Sequence, residues 1–358
     1  MKQATNYAEY LQINSLLNLQ KSLSGSAGVK PCHDETLFII VHQVYELLFK
    51  QILHELDSFV EEFSRPPVSE NSLGYLVARL ERVTQVEDLF IPLLEILETM
   101  SPMDFLEFRT LLVPASGFQS VQFRELEIKL GLYYRKGEKT VAAHVMRALN
   151  PEEQAKVSGF LATPSALALV EGWLERMPFI AAEHFDFWHE YEFAVLGMLA
   201  EERRLLARHS SQDPAAAQQL LQQWEETQLI FTSLFNADAY GVLQASGQRT
   251  LSQKATLGAL FIFLYRHEAI LHQPYRLLTA LLTIDEKLTA WRYRHALMAH
   301  RLLGSKVGTG SSSGHQYLQK AAEHSRIFVD LFNLSTFLLP LSQLPKLPAN
   351  LKKSLNFS

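Results

Sequence analysis

Apolar residues recur at positions 37, 38, 41, 44, 45, 48, 49, 52 and 56. This i, i+3, i+4, i+7 stripe predicts one long amphipathic helix over 36–64. Arg65-Pro66-Pro67 ends it, because proline has no N–H to continue the ladder. A second long helix is predicted over 72–99. Ser101 as cap, Pro102 in the first position and Asp104 in the first turn open a third, which runs to about Leu112 and stops before Pro114. Further helices are predicted over 119–132, in two short pieces within 151–176, and over 181–208 and 214–235. A last pair, 251–271 and 284–303, brackets Pro274. No stretch shows the two-residue alternation of a strand. The pattern predicts an all-α fold, a large helical bundle without significant β-sheet.

Composition supports this. The 358 residues include only 16 Gly and 14 Pro, about 8% together against a usual ~12%. Few chain breakers suit long helices. The chain is 47% hydrophobic and 20% charged, enough apolar content for a sizeable core. A formal net charge of −5 offers no excess of positive charge for nucleic acid or an anionic membrane. The single cysteine, Cys32, excludes an intrachain disulfide and any CxxC motif. Leu37 to Val41 is broken by His42 and Gln43, and no longer apolar run suggests a membrane span. The expectation is a cytoplasmic protein with no membrane and no nucleic-acid partner.

Three residues stand out chemically. His42 and His295 each lie within an apolar-aromatic helix stripe: His42 between Phe38 and Tyr45, His295 between Trp291 and Met298. A buried imidazole needs a partner for each nitrogen, or a metal. Arg109 sits one turn after Phe105 in the stripe Phe105, Phe108, Leu112, and a guanidinium fork there suits a carboxylate. HExxH is absent. His184/His189, His267/His272 and His295/His300 are each five apart, which does not put both rings on one helical face. The glycine-serine patch 304–314 lacks phosphate-loop spacing and follows a helix rather than a strand. It reads either as a linker or as a loop that closes over a ligand. Periodicity and spacing identify no reaction.

Longer motifs say more. HDETLFIIVHQVYELLFKQILHELDS (33–58), PASGFQSVQFRELEIKLG (114–131), WRYRHALMAHRLLGSKVGTGSSSGHQYL (291–318) and FVDLFNLSTFLLP (328–340) closely resemble the tryptophan 2,3-dioxygenase family. LVEGWLERMP (169–178) and FIFLYRHEAILHQPYRLLTAL (261–281) are similar to its longer, animal-like members. The resemblance implies one all-helical domain over 1–358, with an N-terminal arm (1–30) touching a neighbouring subunit and a small helical insertion at about 135–180. It implies one b-type haem per subunit, iron, O2 as co-substrate, and a homotetramer built as a dimer of dimers with exchanged arms. The implied reaction inserts both atoms of O2 across the indole C2–C3 bond of L-tryptophan, giving N-formylkynurenine.

The resemblance also implies roles. His295 of WRYRH would be the proximal iron ligand, and His300 the neighbouring wrong choice. His42 would be the distal histidine, with Phe38 against the indole. Arg109 would bind the substrate carboxylate, flanked by Phe105 and Leu112. Ser116 and Gly117 would line the oxygen side, and Thr309 of GTGSSSG would meet the ammonium. Tyr7, Tyr10 and Leu11 would reach a neighbour's pocket. Two departures from the usual family pattern are Leu48, where many members carry Trp, and Ser311, where Gly is more usual. The competing reading within the same superfamily is a haem-dependent oxygenase of another aromatic amino acid or a substituted tryptophan. A haem sensor or a helical scaffold without turnover is the reading from a different class.

Overall fold

The computed structural model describes residues 6–26, 29–65, 68, 70–133, 146, 149–177, 181–182, 185–209, 214–304 and 325–348. Two helices carry the architecture. His33–Phe63 is continuous over 31 residues, and His272–Leu303 over 32. Both pack against Glu70–Glu87, and both touch Phe90–Leu97 and Pro102–Arg109. Val121–Leu130 closes the other side of the 33–63 helix. Phe187–His209 pairs with Pro214–Phe235 in a separate hairpin.

The predicted helix over 72–99 divides in two. Glu70–Glu87 ends and Phe90–Leu97 begins, because Pro92 has no N–H for the Asp88 carbonyl and its ring crowds that carbonyl. Pro274 does the opposite of what was expected. It stands in the first turn of His272–Leu303, where a missing N–H costs no helix bond, so the helix starts there rather than at 284. Gln253–Leu264 ends earlier than its pattern suggested, and a helix at Ala237–Ala245, capped by Asn236, was not foreseen. The only strand pairing among the described residues is a two-residue antiparallel contact, Ala181–Ala182 with Phe185–Asp186. The fold is all-α.

The 33–63 helix is long and apolar enough by length and composition to cross a bilayer. Its polar residues explain why it is instead a scaffold helix. Glu55 is buried and bonded to Gln51 at 2.7 Å and to Arg82 at 2.9 Å. Glu35 is also buried, and its carboxylate accepts from the backbone N–H groups of Leu23 (2.6 Å) and Ser24 (2.8 Å). Burial alone would raise the Glu35 pKa, but those bonds and the Ser24 side chain hold it below the usual value. Gln20 adds a 2.6 Å bond to Gln43. Residues 20–24 are thereby fastened to the 33–63 helix, while the short helix Tyr7–Tyr10 projects beyond them.

Candidate functional site

His42 leaves the 33–63 helix one turn after Phe38, and the two ring centroids are 4.1 Å apart. Its Nδ1 lies 2.7 Å from the Phe38 carbonyl oxygen. A carbonyl only accepts, so Nδ1 carries the hydrogen and the neutral ring presents Nε2 as an acceptor. Burial lowers the His42 pKa; the Phe38 carbonyl and then Glu46 pull it back part of the way. The ring nonetheless has open surface. His42 is thus open to solvent on one side while its neighbours desolvate the imidazole.

Phe38 continues the wall. It stacks on Phe105 at 5.8 Å and meets Phe108 edge-on at 5.6 Å. Phe105 and Phe108 belong to Pro102–Arg109, a helix started by Ser101, whose hydroxyl accepts from the Asp104 N–H at 3.2 Å. Arg109, half-buried, ends that helix one turn after Phe105. Leu112 closes the following 3-10 turn and packs against the core. Ser116 is half-buried, and its N–H donates to Gln119 Oε1 at 3.1 Å. At Gly117, no described atom lies within 4 Å of where a Cβ would stand.

His295 comes from the 272–303 helix. Its ring lies nearly parallel to the Trp291 indole, with centroids 5.5 Å apart and planes inclined by 13°. Burial first, and the neighbouring His42 second, push its imidazole down to about 4. The two imidazoles, from different helices, thus lie within electrostatic reach of one another. His300 is exposed. Tyr7, Tyr10 and Leu11 are 76%, 77% and 42% exposed on the arm, so a single chain leaves them uncovered. Thr309 and Ser311 lie outside the described residues.

The donor chemistry suits a porphyrin-held iron. A macrocycle brings its own nitrogens and would ask the protein for one neutral imidazole, and burial keeps the His295 ring neutral. Among the described residues, no group of three or more His, Cys, Asp or Glu gathers to hold a metal with protein ligands alone.

Sequence reasoning missed the buried polar and aromatic residues packed among the helices that carry these side chains. Tyr45, Trp291, Arg292, Glu127, Glu87 and Asp285 are all buried. The legible signal was charge inside an apolar stripe: Glu87 follows Leu80 and Val83, and Asp285 lies between Leu281 and Leu288.

A family model described as tryptophan 2,3-dioxygenase matches residues 1–338. The tryptophan 2,3-dioxygenase of Bdellovibrio bacteriovorus is 46% identical, with 98% of each chain covered. That of Alteromonas mediterranea is 43% identical over 98% of this chain and 97% of its own. Tryptophan 2,3-dioxygenase B of Danio rerio is 42% identical over 97% of this chain and 85% of its own. With the match running through the helices that carry Phe38, His42, Arg109 and His295, the chain belongs to the tryptophan 2,3-dioxygenase family.

Proposed function

We propose that this protein is a haem-dependent dioxygenase that converts L-tryptophan and O2 to N-formylkynurenine. Family membership carries the reading, and the two neutral imidazoles of His42 and His295, offered by different helices, support it. The haem, a b-type group with one copy per subunit, supplies the oxygen-activating chemistry when bound. His295 would hold its iron through a neutral ring nitrogen.

The chain's own residues bind and orient the amino acid. Indole is flat and apolar, and Phe38, Phe105 and Leu112 offer it matching surface. Its one polar atom is an N–H, which His42 receives at Nε2. His42 orients the ring and leaves that proton in place, because indole N–H is a very weak acid. Arg109 takes the carboxylate through its guanidinium fork. Thr309 meets the ammonium, and Ser116 and Gly117 line the side where oxygen enters. Holding the indole close to the reacting centre is the main service of the protein.

Tyr7, Tyr10 and Leu11 complete the pocket of a neighbouring subunit in a homotetramer, a dimer of dimers. Their exposure on a lone chain supports that role. The single domain, its arm over 1–30 and its insertion at about 135–180 belong to the same reading, as does a cytoplasmic location. The test is product mass from purified, haem-loaded protein with L-tryptophan and labelled O2. Two labelled oxygens in the product are expected. One labelled oxygen, or turnover of another aromatic amino acid alone, would instead indicate a related oxygenase.

A further inference from the structure

Tyr45 follows His42 by three residues on the same helix, but points into the core and is 7% exposed. Its hydroxyl accepts from Trp291 Nε1–H at 3.3 Å and donates to the Phe90 carbonyl. The Trp291 indole is boxed by Phe49, Phe90 and Phe123, with centroids at 6.4, 5.7 and 5.2 Å. The opposite neighbour of that indole is the His295 ring, 5.5 Å away and nearly parallel. A buried indole has one N–H to satisfy, and here a single hydroxyl satisfies it. The indole cannot turn without losing that bond and colliding with three aromatic rings.

We propose that Tyr45 and Trp291 are positioning residues for His295. The Tyr45 hydroxyl sets the Trp291 indole, and the indole face sets the rotation of the His295 ring. Because Tyr45 and His42 share one helical turn, the same linkage ties the setting of His295 to His42. The proposal rests on the reading of His295 as the iron ligand. A flat stack leaves the imidazole one tilt about its side-chain bonds, so the nitrogen is aimed before any cofactor arrives.

The test uses the haem-loaded protein and three variants: Tyr45→Phe, Trp291→Phe and the double substitution. Tyr45→Phe keeps the ring and removes the hydroxyl; Trp291→Phe keeps an aromatic face and removes the donor. The readouts are the iron–histidine stretching band in the ferrous state, by resonance Raman, and the rate of haem transfer to apomyoglobin. Each single variant should shift or split the band and speed haem loss several-fold, with the double variant little worse than either, since one linkage is broken in all three. Failure of a folded variant to retain haem supports the proposal equally. Variants with the wild-type band and haem-loss rate overturn it, as does unfolding of both single variants by circular dichroism. A wild-type protein with no such band overturns the haem reading itself, and the proposal with it.

Discussion

Arg292 and Glu127 form an ion pair sealed inside the protein, 2.9 Å apart, with side chains 7% and 3% exposed. The same carboxylate holds Arg124 at 2.7 Å, and Arg292 also donates to the Ser325 carbonyl at 3.2 Å. Arg292 lies three residues before His295, so this junction fixes the helix just where the candidate iron ligand leaves it. Glu127→Gln keeps the shape but withdraws the charge that two guanidiniums share. Breaking such a pair costs about 3–5 kcal/mol. A urea unfolding midpoint lowered to match is expected; a loss below about 1 kcal/mol would mean the junction behaves like a surface pair.

Glu87 gives a pH signature. It is 3% exposed, and neither carboxyl oxygen has a hydrogen-bond partner among the described residues. Burial raises its pKa well above the usual value; Lys287 and Arg292 oppose that, and Asp285 and Asp88 add to it. The folded protein therefore keeps a proton that the unfolded chain releases near ~4.3. Stability is full below that pH and falls as pH rises towards the folded pKa, by up to about 1.4 kcal/mol per unit. Glu87→Gln should match the wild type in acid and exceed it in Tm under mildly alkaline conditions. Parallel Tm curves for the two proteins would show that Glu87 is ionised in the fold.

Histidine replacement separates the two candidate ligands. His295→Ala should lose haem or retain it weakly, while His300→Ala, altering an exposed ring, should keep a normal haem content. The Soret absorbance per protein reads both. Equal haem in the two variants would remove His295 from the iron.

Arg109 is expected to act on substrate binding. Arg109→Ala should raise KM for L-tryptophan by an amount equivalent to roughly 2–4 kcal/mol, as when a desolvated charge pair loses one member. Haem content should not change. An unaltered KM would place the carboxylate elsewhere.

The arm can be tested by removal. Deleting residues 1–11 takes away the exposed Tyr7, Tyr10 and Leu11 and, among the described residues 6–11, no core residue. Activity should fall while helicity and haem content hold. Full activity in the truncated protein would exclude a role in a neighbour's pocket.

Much of the fold was legible because its long helices write their inward faces at regular spacing, as the 33–63 stripe does. Two of the errors came from proline. Pro92 interrupts a helix that the apolar pattern carries straight through, whereas Pro274, in a first turn, interrupts nothing. At the site, His42, Arg109 and His295 were visible as polar residues within apolar stripes, and motif resemblance gave them roles. Their supports were not visible. Tyr45 and Trp291 read as ordinary core aromatics, since nothing local to either shows that a hydrogen bond joins residues 246 positions apart. Glu127 and Arg292 hid for the same reason: charge pairing across 165 positions leaves no periodic trace.

The grip of Glu35 on Leu23 and Ser24 sets a limit on the geometry of assembly. With the chain pinned there and at Gln20, Tyr10 hangs on a tether of about ten residues, which fully stretched spans roughly 36 Å at most. Its tip can serve only a subunit seated directly alongside. Catalytic competence would then track quaternary integrity, and dilution that parts the subunits should silence the enzyme before any helix melts.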